Sequence, residues 1–256
     1  MNDETPLHEM NATSRFSDRV RDYISSRPSY PSGAIDAILD GLGDPCTLLA
    51  ADIGAGTGIS ARLLADRGVQ VRAVEPNAEM RAGAECHPRV EFSEGTGERT
   101  GLGDGCVRLV VAAQAFHWLR AGPALAEFRR ILKLGGRAAL MWNDRDARDP
   151  MTVEYTRILR EASGFSRAAE DRSASGEAIL ASPYFTGGRL LEFRNEQRLD
   201  RAGLMGRAMS ASYCPKEGPL HAKLMDELAG LHSSFADQTG HVSLVYATRV
   251  YLAEAA

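Results

Sequence analysis

Three glycines at alternate positions, Gly54, Gly56 and Gly58, follow the run Leu49-Ala50-Ala51-Asp52-Ile53 and precede a helical stretch through Ala61, Leu63 and Leu64. A strand that enters glycines and then a helix is a nucleotide-type turn. Glycine permits positive φ and close backbone approach, and the free N–H groups at the helix start form a polar cradle. A dinucleotide turn reads G-x-G-x-x-G, with the pyrophosphate on the helix N-terminus. Here the third glycine comes one place early and Ile59 stands where it would be. With no pyrophosphate to seat, this spacing suits an adenosine carrying an amino-acid tail. The next apolar run, Val71-Arg72-Ala73-Val74, ends on Glu75, 21 residues after Gly54, where a carboxylate can accept hydrogen bonds from both ribose hydroxyls.

These groups need a frame. From Leu48 to Asn143 short apolar runs alternate with helical stretches, the pattern of strand–helix units on a mostly parallel sheet. Strands are expected at about 48–53, 70–75, 89–93, 107–113 and 137–143. Between the last two, a helix over Pro123–Leu134 puts Leu125, Phe128 and Leu132 on one face, and Gly135-Gly136 is a natural stop. Residues 144–188, rich in charge, Ser and Gly, read as a helical insertion or lid. Leu191 and Phe193 alternate with Glu192 and Arg194, and Val242, Leu244, Tyr246, Thr248, Val250 and Leu252 recur at every second position, which makes two final strands. An amphipathic helix is expected between them at Leu220–Phe235. The expectation is therefore an α/β fold with seven strands in one mostly parallel sheet, helices on both faces and the insertion after the fifth strand. Ahead of it lies an arm, residues 1–32, with a frayed polar start and a helix over Phe16–Arg27 stopped by Pro28 and Pro31.

Composition narrows the function classes. A chain of 256 residues with 44% hydrophobic and 25% charged residues suits one large domain and excludes global disorder. The formal charge of −4 gives no overall footprint for nucleic acid or an anionic membrane. The longest apolar run near residue 110 is bounded by Arg108 and Gln114, far short of a membrane span. The acidic start MNDETPLHEM lacks the features of a signal peptide, so a cytoplasmic location is expected. Cys46, Cys86, Cys106 and Cys214 form no C-x-x-C pair; they read as buried small hydrophobes, and neither a metal site nor a disulfide framework is expected.

The sequence resembles the class I S-adenosylmethionine-dependent methyltransferases over about residues 15–145, and more loosely beyond. The resemblance rests on Asp52-Ile53-Gly54-Ala55-Gly56-Thr57-Gly58, Glu75-Pro76-Asn77 with Met80, Gly95-Thr96-Gly97-Glu98, and Ala113-Gln114-Ala115-Phe116-His117-Trp118. The segment Tyr23 to Pro31 is similar to the Y-x-x-x-R-P-x-Y-P arm of a small-molecule branch that includes trans-aconitate methyltransferase-like enzymes. The resemblance implies a Rossmann-like fold and a methyltransferase domain over 33–256. Within it lie a cofactor-binding core (45–145), the insertion (about 144–188), and C-terminal helices with the last two strands (189–256). It implies S-adenosylmethionine as methyl donor, with S-adenosylhomocysteine as product. Gly54 and Gly56, in the loop that Gly58 completes, would lie against the methionyl part, Asp52 would help hold the ammonium, Glu75 would bind the ribose, and Pro76 and Met80 would flank the adenine. Thr96, Gly97, Glu98 and Ala113 would complete the pocket. Many members carry an Asp for the adenine amino group where this chain has Thr96, which leaves the backbone around Gly97 and Glu98 to meet the base edge.

Acceptor residues are expected at the carboxyl ends of the fourth and fifth strands, where open α/β sheets place ligands. These are Gln114, His117 and Trp118 on one side and Trp142, Asn143 and Arg145 on the other. His117 is the candidate general base, or else packs structurally with Trp118. The two tryptophans would form an aromatic wall or belong to the core. Tyr30 and Tyr213 could close the pocket, and Arg27 and Arg145 could bind a carboxylate. The [DN]-P-P-[FY] loop of nucleic-acid amino methyltransferases is absent after the fourth strand, so the expected partner is a small molecule. Three readings stay open at this level: a small-molecule methyltransferase, a nicotinamide-dependent oxidoreductase, and a nucleotide-binding module without catalysis. No residue pattern specifies the acceptor, the methylated atom or the oligomeric state.

Overall fold

The computed structural model describes residues 27–163, 173–211 and 213–256. Its strands are β1 (Leu49–Ile53), β2 (Gln70–Val74), β3 (Val90–Ser93), β4 (Val107–Ala113), β5 (Leu132–Arg145), β6 (Phe185–Leu199) and β7 (Val242–Ala255). They form one sheet in the order β3-β2-β1-β4-β5-β7-β6. β1 to β5 pair in parallel, and β7 runs antiparallel to β5 and β6. The helices are α1 (Ser32–Leu39), α2 (Ile59–Ala65), α3 (Ala78–Ala82), α4 (Ala121–Ile131), α5 (Pro150–Ser163), α6 (Glu177–Leu180), α7 (Arg201–Met209) and α8 (Gly218–Phe235). This is the seven-stranded Rossmann-like fold the sequence suggested. Among the described residues no helix is long and apolar enough to cross a membrane.

Strand alternation divides the core into two layers. Ala50, Val71, Leu109, Val111, Ala139 and Met141 pack with α1 and α2, whereas Ala51, Ile53, Val110, Ala112, Leu140 and Trp142 pack with α4. A third cluster is built from Tyr155 and Ile158 of α5, Leu204 of α7, Leu224 and Leu228 of α8, and Leu244 and Tyr246 of β7. Tyr246 lies opposite Arg145, the last residue of β5, so this helical cap sits at the carboxyl end of the parallel strands.

The expected elements are present with shifted ends. The helix placed at Pro123–Leu134 runs over Ala121–Ile131, and β5 follows at once from Leu132, which pairs with Val107. Gly135-Gly136 therefore bends a strand instead of stopping a helix. Gly135 has φ 65°, and a Cβ on Gly136 would stand 2.8 Å from the Lys133 carbonyl oxygen. β6 begins at Phe185, inside the stretch read as insertion. α7 was not expected; Gly203 and Gly206 break its apolar pattern, and it is started by Asp200, whose side chain accepts from the Gly203 N–H. The cysteines correct another expectation: Cys46 and Cys86 are exposed, and Cys214 alone is fully buried. The frayed start and the helix over Phe16–Arg27 lie outside the described residues except for Arg27.

The 15-residue β6 forms one edge of the sheet. Leu191, Phe193, Asn195 and Gln197 are half-buried along it, and Glu192, Arg194, Glu196 and Arg198 point outward.

Candidate functional site

The loop between β1 and α2 is held in its shape by backbone and by two acids. Gly54, Gly56 and Gly58 all have positive φ, at 66°, 58° and 80°. The Gly54 and Ala55 N–H groups donate to the Val74 carbonyl, which ties the loop to the end of β2. A Cβ on Gly54 would lie 2.7 Å from the Cβ of Ala115, and one on Gly58 would lie 2.9 Å from the Phe92 ring. Side chains at these positions would be strained and crowded as well, so the alternate glycines are required by the turn itself.

Glu75 is buried and accepts from the Gly56 N–H and the Asn77 N–H, each at 2.9 Å. Burial raises its pKa above the ordinary carboxylate value against those two hydrogen bonds and the nearby Arg81. Each carboxylate oxygen can accept more than one hydrogen bond and here takes one, so acceptor capacity remains for hydroxyl donors. Asp52 is fully buried at the end of β1, and its Oδ2 accepts from the Ser60 hydroxyl at 2.7 Å. Burial pushes its pKa up to about 7, with hydrogen bonds from Ser60 and the Ala61 N–H opposing and the charge of Glu75 adding to the rise.

Among the described residues the Asp52 Oδ1 has no hydrogen-bond partner, and neither has the buried hydroxyl of Thr57 in the same loop. Leaving such groups unsatisfied costs about 1–3 kcal/mol each. A ligand with a cationic amine and polar tail meets that need, so the residues present fit the amino-acid end of S-adenosylmethionine. On the expected adenine side, Pro76 is half-buried and Met80 is buried in α3, which Asn77 caps by accepting from the Glu79 and Met80 N–H groups. Thr96 is exposed and exchanges backbone hydrogen bonds with Arg99. Gly97 is buried against Leu119, and Glu98 accepts from the Arg120 N–H at the start of α4. Ala113 closes β4 beside the loop's helical face. Among the described residues no group of three or more His, Cys, Asp or Glu could hold a metal ion.

The acceptor side departs further from expectation. Gln114 follows β4 with φ 55°, the one non-glycine in the left-handed region among the described residues. Its N–H donates to the Met141 carbonyl at 2.8 Å and its Nε2 to the Asn143 carbonyl at 3.3 Å. Such a conformation costs about 1–3 kcal/mol and is held only where its surroundings impose it. Asn143 donates to the Ser29 carbonyl at 3.1 Å and accepts from the Thr248 hydroxyl at 2.5 Å and from Asn195 at 3.2 Å. Tyr30, next to Ser29, packs on the layer formed with α1 and α2. Arg145 donates to the Tyr213 hydroxyl at 3.0 Å.

Two of the acceptor-side candidates stand in surroundings that favour the packing alternative. Trp142 is fully buried in the α4 layer, edge-on to Tyr251 with ring centroids 5.9 Å apart. Alternation along β5 puts it on the face opposite Asn143 and Arg145. His117 lies in the same layer, buried, in the turn Phe116–Trp118. Its Nδ1 accepts from the Trp142 indole N–H at 3.1 Å. An indole nitrogen only donates, so Nδ1 holds the lone pair of a neutral imidazole and the proton sits on Nε2. The lone pair a general base needs is thus already engaged. The half-buried Trp118 packs beside it with its ring tilted by 43° and the centroids 5.1 Å apart. Sequence reasoning missed Ser60, Thr57, Asn195 and Thr248; only Thr57 and Ser60, inside or just after the glycine loop, stood in a segment that could have pointed to them.

A family model described as methyltransferase domain matches residues 51–140. An uncharacterized methyltransferase of Mycobacterium tuberculosis is 33% identical over 242 residues, spanning 91% of this chain and 92% of that protein. A structure from Anaeromyxobacter dehalogenans, assigned as a type II methyltransferase, matches with a TM-score of 0.61 at 24% identity over 90% of this chain and 97% of its own. Phosphoethanolamine N-methyltransferase 2 of Haemonchus contortus, solved with phosphomonomethylethanolamine and S-adenosylhomocysteine, matches with a TM-score of 0.55 at 14% identity over 97% of this chain and 59% of its own. Both solved structures share the fold.

Proposed function

This chain belongs to the class I S-adenosylmethionine-dependent methyltransferases, and from that premise we propose that its acceptor is a small molecule held under the helical cap. The observation that carries this reading is the cap itself. α5, α7 and α8 share a core with β7 and stand over the carboxyl end of β5, and Asn143 and Asn195 both hold the Ser29 carbonyl across the same end. That enclosure suits a metabolite better than a polymer. The tethered Ser29 and the packed Tyr30 also support kinship with the small-molecule branch that includes trans-aconitate methyltransferase-like enzymes.

In this proposal Asp52 faces the ammonium, Glu75 the ribose, and Met80 with Pro76 the adenine, while Gly97 and Glu98 border the base edge. S-adenosylmethionine, when bound, supplies a methyl group on a sulfonium, a leaving group that needs no proton. The chain's task is then to orient the acceptor and exclude water. His117 serves as a strut for Trp142, and the acceptor atom brings its own lone pair. Methyl-labelled S-adenosylmethionine offered to a cell extract tests the proposal. Label that depends on added enzyme is expected in a dialysable product separable from the donor, and enzyme-dependent label found only in protein or nucleic acid would overturn it.

A further inference from the structure

One side chain gathers the backbone of the turn that carries Glu75. The strands β2 and β3 end level with each other, with Val74 opposite Ser93, and the Glu75 N–H donates to the Ser93 carbonyl at 3.1 Å. Beyond that point the two chains part. Residues 75–77 turn into α3, whereas 94–98 run toward Leu119 and Arg120. Arg81, in the last turn of α3, reaches both. Its Nη1 donates to the Glu75 carbonyl at 2.6 Å and to the Pro76 carbonyl at 3.0 Å, and its backbone N–H donates to the Asn77 carbonyl at 3.1 Å. Its Nη2 donates to the Glu94 carboxylate at 3.2 Å.

All three carbonyls of the turn are thus drawn to one residue, while the Glu75 carboxylate is aimed the other way, at the N–H groups of Gly56 and Asn77. The plainest account of Arg81 is a surface ion pair. Glu94 is 78% exposed, and a pair so wetted contributes little on its own. The carbonyl contacts differ in kind. The Arg81 side chain is only 20% exposed, and its guanidinium is a rigid plane whose donors hold their acceptors at fixed mutual angles. A helix of five residues is too short to hold such a turn by its own hydrogen bonds. On the opposite side Thr96 offers no substitute, because its hydroxyl accepts from the Arg99 N–H within its own turn.

We infer that Arg81 is a positioning residue for the nucleoside end of the cofactor. It aims the Glu75 carboxylate through the backbone and, through Glu94, fixes the gap between residues 76–80 and 94–98 in which the adenine lies. Groups held in place before the ligand arrives lose less freedom when it binds, so the effect is read as affinity. The inference rests on the proposed placing of S-adenosylmethionine along Asp52, Glu75 and Met80, and adds to it a residue that touches neither ribose nor base.

Calorimetry on the full-length chain tests it with two ligands, S-adenosylhomocysteine and 5′-methylthioadenosine, which keeps the nucleoside and lacks the amino-acid tail. Arg81→Gln should weaken both by the same factor, about tenfold. Arg81→Lys brings one ammonium that cannot fork between the turn and Glu94; it should weaken both by about threefold, and it carries the test if the glutamine variant does not fold. Glu94→Ala should also weaken both by about threefold, yet add nothing to Arg81→Gln, since the two act through one clasp. Thermal unfolding of each ligand-free variant separates this from a purely structural role, which would lower the melting temperature and leave the affinity of the folded molecules unchanged. Unchanged affinity in a folded Arg81 variant, a loss confined to S-adenosylhomocysteine, or additive losses with Glu94→Ala would each overturn the clasp and leave the cofactor site standing. A wild type that bound neither ligand would overturn both.

Discussion

Around β1 and β2 a buried polar side chain finds its partners close by in the chain, whereas around β5 and β7 it finds them far away. Asp52 takes its hydrogen bond from Ser60, 8 residues on, and Glu75 takes two from residues 19 and 2 positions away. Asn143 reaches Ser29 across 114 residues and Thr248 across 105, and Arg27 reaches the Ser210 carbonyl across 183. The half that we propose for the cofactor is thus held together by one strand–loop–helix unit and its neighbour. The proposed acceptor half draws its contacts from Ser29, the sheet and the cap together. Substitutions in the first half should therefore act on cofactor binding, and those in the second on acceptor use and on the docking itself.

The sharpest challenge to this contrast is Gly54→Val. Its positive φ and the 2.7 Å approach to Ala115 leave no room for a branched side chain. S-adenosylhomocysteine affinity measured by calorimetry should fall more than about a hundredfold, or ~2.7 kcal/mol. Wild-type affinity would show that the loop is less rigidly preformed than described.

Asp52→Asn comes next, with an effect that depends on pH. Because its folded pKa of about 7 lies above the ordinary 3.8, the carboxyl is neutral at lower pH and offers no charge to an ammonium. S-adenosylmethionine should bind the wild type more tightly as pH rises through 7, and the variant should show no such rise. At pH 8 the variant should bind about tenfold to a hundredfold more weakly. The ligand-free stability moves the other way. A raised carboxylate pKa means the folded state holds its proton while the unfolded state releases it, so stability falls as pH climbs from about 4 to 7. Asp52→Asn without ligand should consequently melt above the wild type at pH 8, as thermal unfolding can check.

Glu75→Gln should weaken cofactor binding by about tenfold, roughly one charge-assisted hydrogen bond. Glu75→Ala should also destabilise the fold by about 1–3 kcal/mol, since the buried Gly56 and Asn77 N–H groups lose their acceptor. Denaturant titration separates the two. In the acceptor half, Asn143→Ala should leave cofactor affinity within about twofold while raising the acceptor KM by about threefold to tenfold, since the tether to Ser29 is lost. The smallest change in rate is expected for His117→Phe. It should lower stability through the lost Trp142 contact, yet turnover should stay within about threefold and keep its pH profile, well short of the 10²–10⁴ of a general base. A pH limb that vanished with His117 would restore it to the chemistry.

The same difference in chain separation decides what was legible. Gly54, Gly56, Gly58 and Glu75 sit at spacings that a strand and a turn impose, so their grouping could be read from the chain directly. The strands of the parallel sheet were legible for a similar reason, since their apolar runs are short and punctuated. Trp142 and Asn143 were read as one surface although adjacent strand residues face opposite layers, which the alternation in β5 makes plain once its register is known. Asn195 and Thr248 carried no signal. They lie on the last two strands, whose alternation says only that one face is buried, and their meeting with Asn143 depends on how β5, β6 and β7 pair.

The outer edge of β6 bears on how copies of this chain coexist at high concentration. A strand of 15 residues at the end of a sheet exposes a row of backbone donors and acceptors able to recruit an identical strand from another molecule. Its outward side chains run Glu192, Arg194, Glu196, Arg198, opposite signs in strict succession, held in part by ion pairs from Arg249 to Glu192 and from Arg198 to Asp237. An antiparallel copy shifted so that 192 meets 196 would bring like charges face to face, whereas one with 192 opposite 198 would match opposite signs, so the alternation narrows the registers open to such pairing. That restriction comes at no expense to Leu191 and Phe193, which fill the opposite side.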